Sequence, residues 1–272
     1  MKLAGAAKMK AVAITDHDTI DGVPEALSQG TRSRIEVIPG VEIGCETPQG
    51  TMDILGYYVD IASPTLEHRL RWMREKRLER IPRILDKLHD LGIDVSLDEV
   101  LEIADEGSVG RPHVARAIVR KGYAKTIGDA FDRCLGRHSP AYVSRNRIGP
   151  AAAIEIIRNA GGVPVLAHPT TLKAGTGSQL DVIVARLVRE GLLGMEILHS
   201  DYDAHTSTNL RRLAEKHNIL VTGGSDFHGD PDSGISVGTG TGELRVPYRY
   251  AQQLKAAAGT SRHQKAVEIA MT

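Results

Sequence analysis

Four times along this chain an apolar, β-type run ends in a side chain that can hold a metal ion. Ala11 to Ile14 runs into Thr15-Asp16-His17-Asp18, and Ile38-Pro39-Gly40-Val41 runs into Glu42. Val163 to Ala167 stops at His168-Pro169, and Leu220-Val221-Thr222 leads through Gly223-Gly224-Ser225 to Asp226-Phe227-His228. This pattern constrains the fold more tightly than composition does. Buried strands tipped with imidazole or carboxylate are expected where strand ends gather on one face, as in a barrel of parallel strands. One such histidine would carry little weight. Four strand ends delivering His, Glu, His and Asp with His read as a polynuclear metal site.

Between these runs the spacing is helical. Helices are expected near residues 22–30, 151–160, 180–190 and 210–217, and strands near 12–15, 36–41, 52–59, 163–167, 195–198 and 219–222. That βα alternation argues for parallel strands with covering helices. Gly161-Gly162, Gly191 and Gly194 fall where helices should end. From 63 to 142 the pattern changes, with no strand signal. Leu66, Leu70, Met73, Leu78, Ile81, Leu85 and Leu88 approximate one apolar stripe, and Pro82 should begin or kink a helix. Leu97–Ala104, Pro112–Lys121 and Thr126–Leu135 read as three more short helices. The expected organisation is a barrel over 1–63 and 143–258, an inserted helical subdomain over 64–142, and a tail over 259–272.

Composition mainly excludes. The chain has 272 residues, enough for one barrel-like domain with an insertion or for two smaller domains. Its 34 basic and 34 acidic residues balance, so nothing global argues for double-stranded DNA or a membrane as partner. Cys45 and Cys134 form no Cys-x-x-Cys pattern, which argues against a disulfide framework or a thiolate zinc site. Both read as small buried apolar residues. No apolar run approaches ~18 residues and the first residues carry no apolar leader, so a cytoplasmic protein is expected.

The candidate residues have individual reasons. His17 stands just past a buried strand, with Asp16 read as a partner that orients an imidazole and Asp18, Thr19 and Asp21 as caps of the next helix. Glu42 interrupts an apolar run, where a carboxylate is expensive unless paired or bound to a cation. His168 precedes a proline, which should hold it extended at the strand end. Asp226 and His228 flank Phe227, so an extended chain points both to one side. His199 follows Glu196-Ile197-Leu198 at another strand end. It reads either as a group that contacts substrate phosphate or protonates a leaving group, or as a structural histidine. The basic run from Arg69 to Arg83, interleaved with glutamates, reads by itself as a solvated helix face.

Thr15-Asp16-His17-Asp18, Pro39-Gly40-Val41-Glu42-Ile43, Ala167-His168-Pro169 and Ser225-Asp226-Phe227-His228-Gly229 resemble successive motifs of the polymerase-and-histidinol-phosphatase (PHP) family, and within it the stand-alone phosphoesterases. The resemblance runs from near residue 4 to about residue 255. It implies an α/β fold, a distorted (βα)7 TIM-like barrel of the PHP type with a helical insert. It implies metal ligation by His17, Glu42, Asp53, His168, Asp226 and His228, with Asp53 standing where many relatives carry histidine. Arg77 and Arg80 match an Arg-x-x-Arg used against substrate phosphate, and Arg111 matches another such position. Imidazole and carboxylate donors suit Mn²⁺, with Fe²⁺ or Zn²⁺ as alternatives. The implied activity is release of phosphate from a small phosphorylated substrate, such as a nucleoside 3′,5′-bisphosphate, or from the 5′ end of short RNA.

Family members usually begin with a strand carrying His-x-His and then Ser-Asp-Gly, whereas this sequence opens at Met1-Lys2-Leu3-Ala4-Gly5. That strand would bring two imidazoles and one carboxylate, and without it the barrel would lack its first strand and most ligands of one cation. The expectation is that the 272 residues as written are much less active than a full-length relative. Upstream residues that complete the site, or a degenerate member binding one cation or none, would both account for it. Two other readings stay open: a non-catalytic phosphate- or nucleotide-binding module, and an amidohydrolase-type enzyme cleaving C–N bonds.

Overall fold

The computed structural model describes residues 1–47, 50–104, 109–144, 147–172, 177–229 and 233–270, with side chains as far as Thr260. In chain order its elements are α1 (Lys2–Ala6), β1 (Ala11–Ile14), α2 (Val23–Ser33), β2 (Glu36–Thr47), β3 (Gly50–Tyr57), α3 (Pro64–Leu78), α4 (Arg80–Asp90), α5 (Leu97–Ala104), α6 (Arg111–Arg120) and α7 (Ile127–Ala130). A π-helical turn (Phe131–Leu135) follows α7. The chain continues with α8 (Pro150–Asn159), β4 (Val163–Leu166), α9 (Ser178–Arg189), β5 (Gly194–His199), α10 (Ala204–Lys216), β6 (Leu220–Gly224) and α11 (Tyr248–Ala270). Two units result, one of Met1–His68 with Ile148–Thr272 and one of Arg69–Arg147.

In the first unit the apolar runs become one six-stranded sheet with the strands in sequence order, curled as a TIM-like half-barrel. β1 pairs parallel with β2, and β4, β5 and β6 are mutually parallel. The expected all-parallel pairing fails at β3, which runs antiparallel to both β2 and β4. Connection length is the reason. Thr47 pairs with Gly50, leaving room only for a hairpin turn, whereas a parallel return needs about a dozen residues or more. β2 therefore runs well past residue 41, and Glu42 sits inside the strand rather than after it.

Val41, Ile43, Ile54, Val163, Val165, Leu166, Met195 and Ile197 are fully buried on this sheet. α8 packs closely enough that a Cβ at Gly56 would lie 2.9 Å from Ile157 Cγ1. Leu254 and Ala258 of α11 share a core with Ile38, Leu55, Tyr57, Val163 and Val165. Glu36 anchors the same helix, accepting hydrogen bonds from Lys255 Nζ at 2.8 Å and the Tyr248 hydroxyl at 2.7 Å. Beyond Gly259, in the stretch read from sequence as a tail, α11 continues as backbone helix to Ala270. Of the glycines expected as left-handed caps, Gly161 (φ 69°) and Gly191 (φ 101°) serve that purpose. Gly194 instead allows close approach, since a Cβ there would lie 3.0 Å from Val165 Cγ2 and 3.1 Å from the Leu220 carbonyl.

The second unit holds helices, turns and no strand among its described residues, and has its own core of Ile81, Ile84, Leu88, Val100, Val114, Ile118 and Leu135. The single stripe expected across Leu78 and Leu85 does not hold. Leu78 is 44 % exposed, and Ile84 takes the core position next to half-buried Leu85. The helix breaks at Glu79 between α3 and α4, and that break resets the phase of the apolar face. Pro82 lies in the first turn of α4, where its missing N–H is tolerated.

Gly40 supplies a direct check on the packing of the sheet. A Cβ there would fall 2.8 Å from the Gly56 carbonyl and 3.0 Å from the Ile14 carbonyl, and backbone cannot move aside as a side chain can. Gly40→Ala should lower stability in urea by about 1–3 kcal/mol. Gly259→Ala, in open space on α11, should raise it by about 0.5–1 kcal/mol. Equal effects at the two positions would contradict the packing described.

Candidate metal centre

β1 does not stop pairing at Ile14. The Asp18 N–H donates to the Glu42 carbonyl at 2.9 Å and the Glu42 N–H to the Asp16 carbonyl at 3.1 Å, so His17 lies beside Glu42 in a parallel bridge. The Glu42 carboxylate is 4 % exposed and faces an imidazole with each oxygen. Oε1 is 3.0 Å from His168 Nε2, and Oε2 is 3.7 Å from His17 Nδ1. Asp53, the diagonal neighbour of Glu42 on β3, places Oδ2 3.9 Å from the same His168 Nε2. His17, Glu42 and Asp53 each offer a donor atom within 4.8 Å of the others.

A second group adjoins the first. Asp226 Oδ2 is 3.8 Å from His199 Nε2, and Oδ1 is 3.5 Å from His228 Nδ1. The His228 ring is centred 5.8 Å from that of His17, and His199 is centred 6.1 Å from His168. The six residues singled out as ligands therefore converge, and His199 stands among them. His17, Glu42, His168, Asp226 and His228 border a cavity of about 1120 Å³, which the apolar residues Ala11, Ala13, Ile38, Leu55 and Leu254 also line.

Three local expectations fail here. His168 is not extended: its backbone is at φ 24°, ψ 61° despite the following proline. Asp226 is at φ 53°, so it and His228 do not flank Phe227 in extended chain. Asp18, at φ 56°, is fully buried and does not cap α2, whose N-cap is Gly22 without a side-chain bond. Three strand ends thus turn through the left-handed region, an unfavourable conformation away from glycine that characteristically collects at functional sites. Asp16, read as an orienting partner, is exposed.

The site's charges are mutually dependent. Burial pushes the His168 imidazole down, but the hydrogen bond and charge of Glu42, with Asp53 and Glu196, carry it up to about 9. His199 is likewise depressed by burial yet held above its ordinary value by Asp226, Glu196 and Asp201. Its Nδ1 accepts the Asp201 N–H at 3.2 Å, so the proton resides on Nε2, toward Asp226. Glu196, overlooked by the sequence reading, is 4 % exposed and pushed up to about 7 by burial. It interrupts an apolar strand just as Glu42 does, and that signal was available. Tyr57, fully buried close to Glu196 and Glu42, had no sequence signal beyond its apolar strand.

These donors fit a divalent cation. Donors at ~2.1 Å from one ion lie roughly 3–4 Å apart, the spacing of the imidazole–carboxylate pairs above. His17 Nδ1 is buried and makes no hydrogen bond. Imidazole and carboxylate without thiolate form a borderline-to-hard set.

The arginines read as phosphate ligands lie in the helical unit. Arg80, 8 % exposed, and Arg111 place their guanidinium carbons 5.3 and 5.4 Å from the centre of the Tyr142 ring. Arg111 also donates to the Leu135 carbonyl at 2.9 Å. Arg77 lies beside Gly110, where a Cβ would be 3.6 Å from its Nη1. His113 accepts the Gly110 N–H at 3.0 Å and caps α6.

No protein-family model matches the sequence. Individual relatives decide the matter. The 5′-3′ exoribonuclease Rnm of Salmonella typhimurium is 33 % identical over 219 residues, covering 80 % of this chain and 74 % of that protein. The chain belongs to the PHP family of phosphoesterases. The 3′,5′-nucleoside bisphosphate phosphatase of Chromobacterium violaceum is 30 % identical over 84 % of this chain and 80 % of its own. A Bifidobacterium adolescentis protein assigned as a metal-dependent phosphoesterase superposes with a TM-score of 0.82 at 26 % identity, covering 94 % of this chain and 88 % of that one. A Chromobacterium violaceum structure described as an amidohydrolase, with bound sulfate and no metal, gives the same TM-score at 28 % identity, covering 94 % and 89 %.

The sign of the His168 shift makes a prediction for this PHP protein. Its folded-state value of about 9 lies above the ordinary 6.5, so the stabilisation it confers is complete below pH 6.5 and lost as pH rises through 9. A cation taking Nε2 must displace that proton. In metal-free protein the urea midpoint should fall across this window, while Mn²⁺ affinity measured by calorimetry rises. Glu42→Gln should flatten the first trend. A metal-free midpoint independent of pH over the same range would contradict the assignment.

Proposed function

We propose that this phosphoesterase removes phosphate from a small phosphorylated nucleoside, a nucleoside bisphosphate, or from the 5′ end of a short RNA. The observation that carries the reading is Glu42, whose two oxygens each face an imidazole from a different strand end within a set that can take a cation. The relatives named for exoribonuclease and bisphosphate phosphatase activity support the substrate class. Their names favour P–O over C–N cleavage, and so weigh against an amidohydrolase. The half-barrel sheet is read as part of a distorted (βα)7 barrel of the PHP type.

His17, Glu42, Asp53, His168, Asp226 and His228 are the proposed ligands of divalent cations, with Mn²⁺ favoured over Fe²⁺ or Zn²⁺ because carboxylates supply half of the donors. Bound there, the cations would polarise a phosphoryl oxygen and acidify a water molecule. Glu42 holds His17 and His168 in register and balances cationic charge. His199 keeps a proton on Nε2, placed for transfer to the departing alkoxide. Arg77, Arg80 and Arg111 are the proposed phosphate contacts of the helical unit, because a planar guanidinium can bond two phosphate oxygens at once. Cys45 and Cys134, both buried and in no disulfide, accord with a reducing compartment such as the cytoplasm.

Phosphate release from a nucleoside 3′,5′-bisphosphate should require added Mn²⁺ and be abolished by chelation. Glu42→Ala should reduce it by about 10²-fold or more, and Arg80→Ala should raise KM with a smaller effect on kcat. Undiminished turnover in Glu42→Ala, or activity in chelator, would refute the proposed function.

A further inference from the structure

Glu196 is a buried carboxylate at the strand ends that the chemistry above leaves without a task. Its position depends on an irregularity in β5. Glu196 pairs with Thr222 and Leu198 with Gly223, so Ile197 is an extra residue in the ladder. In regular strand Glu196 and His199 would point to opposite faces. The inserted residue re-aims the chain, as bulges beside active sites do, and both side chains reach the same cluster. Glu196 Oε2 then accepts the backbone N–H of His168 at 2.9 Å, and Oε1 lies 3.4 Å from where a Cβ of Gly224 would stand. One side chain therefore links the ends of β4, β5 and β6.

The bond to His168 falls on the residue with the least favourable backbone of the site, at φ 24°, ψ 61°. An ordinary chain would relax from that conformation, and the imidazole would swing away from Glu42 and Asp53. We infer that Glu196 is a positioning residue of the metal centre, holding the strand-end turn of β4 so that His168 Nε2 stays on Glu42, and that it acts through the His168 backbone rather than by touching a cation. Its Oε2 is already engaged by the His168 N–H. The inference rests on the metal-centre reading.

Glutamine and leucine substitutions distinguish positioning from ligation. A glutamine amide oxygen can still accept the His168 N–H, but it lacks the charge a cation would require. Leucine fills similar space and accepts nothing. In the full chain, Mn²⁺ affinity by calorimetry and exchange of the His168 amide proton by NMR in the metal-free protein are the two readouts. Glu196→Gln should bind Mn²⁺ within about threefold of wild type and keep the amide protected. Glu196→Leu should lose about 10- to 100-fold in affinity and expose the amide to exchange. If Glu196→Gln loses as much affinity as Glu196→Leu, the carboxylate acts by charge and the inference is overturned. Unchanged affinity and protection in Glu196→Leu overturn it too. Should Glu196→Leu fail to fold, the glutamine variant alone decides. Wild-type protein that binds no Mn²⁺ removes the metal-centre reading and this inference together, whereas a binding wild type with a defective Gln variant removes only the inference.

Discussion

The arrangement of this site depends on the buried carboxylate of Glu42. It lies inside β2, in the middle of the sheet, where an isolated negative charge would be too costly to keep. Its environment resolves this by bringing one imidazole to each oxygen, His17 from β1 and His168 from β4. Those two strands are not neighbours in the sheet, and Glu42 is what relates their ends. The raised value at His168 is the reciprocal of the same interaction, since the carboxylates that need a counter-charge hold the imidazole protonated until a cation replaces the proton.

Aiming side chains at one point from several strands demands local departures from regular structure. Asp18, His168 and Asp226 leave their strands through left-handed conformations, and β5 takes up an extra residue at Ile197. These departures are expensive for non-glycine residues, and hydrogen bonds such as that from His168 N–H to Glu196 maintain them. The helical unit solves a different problem. It sets Arg80 and Arg111 each over the ring of Tyr142, which offers negative π density to each guanidinium.

Much of this was legible in the sequence because strands ending in metal-binding side chains are a spacing signal, independent of tertiary contacts. His17, Glu42, Asp53, His168, Asp226 and His228 were singled out that way or through the family resemblance, and they do meet. Glu196 carries the same signal in the sequence as Glu42, a carboxylate within an apolar run. The antiparallel course of β3 was hidden because an apolar strand looks the same in either direction, and only the short turn after Thr47 sets it. The phase break at Glu79 moved Leu78 out to solvent and Ile84 into the core, which a continuous helical stripe does not reveal.

Anomalous diffraction from Mn²⁺-loaded crystals at the manganese edge tests the central claim most directly. The account predicts peaks bounded by His17, Glu42, Asp53 and His168, with density close enough to Asp226 and His228 for a shared cluster, and with both Glu42 oxygens turned to cations. Peaks confined to other parts of the chain, with Glu42 and His168 still bonded only to each other at saturating Mn²⁺, would contradict it.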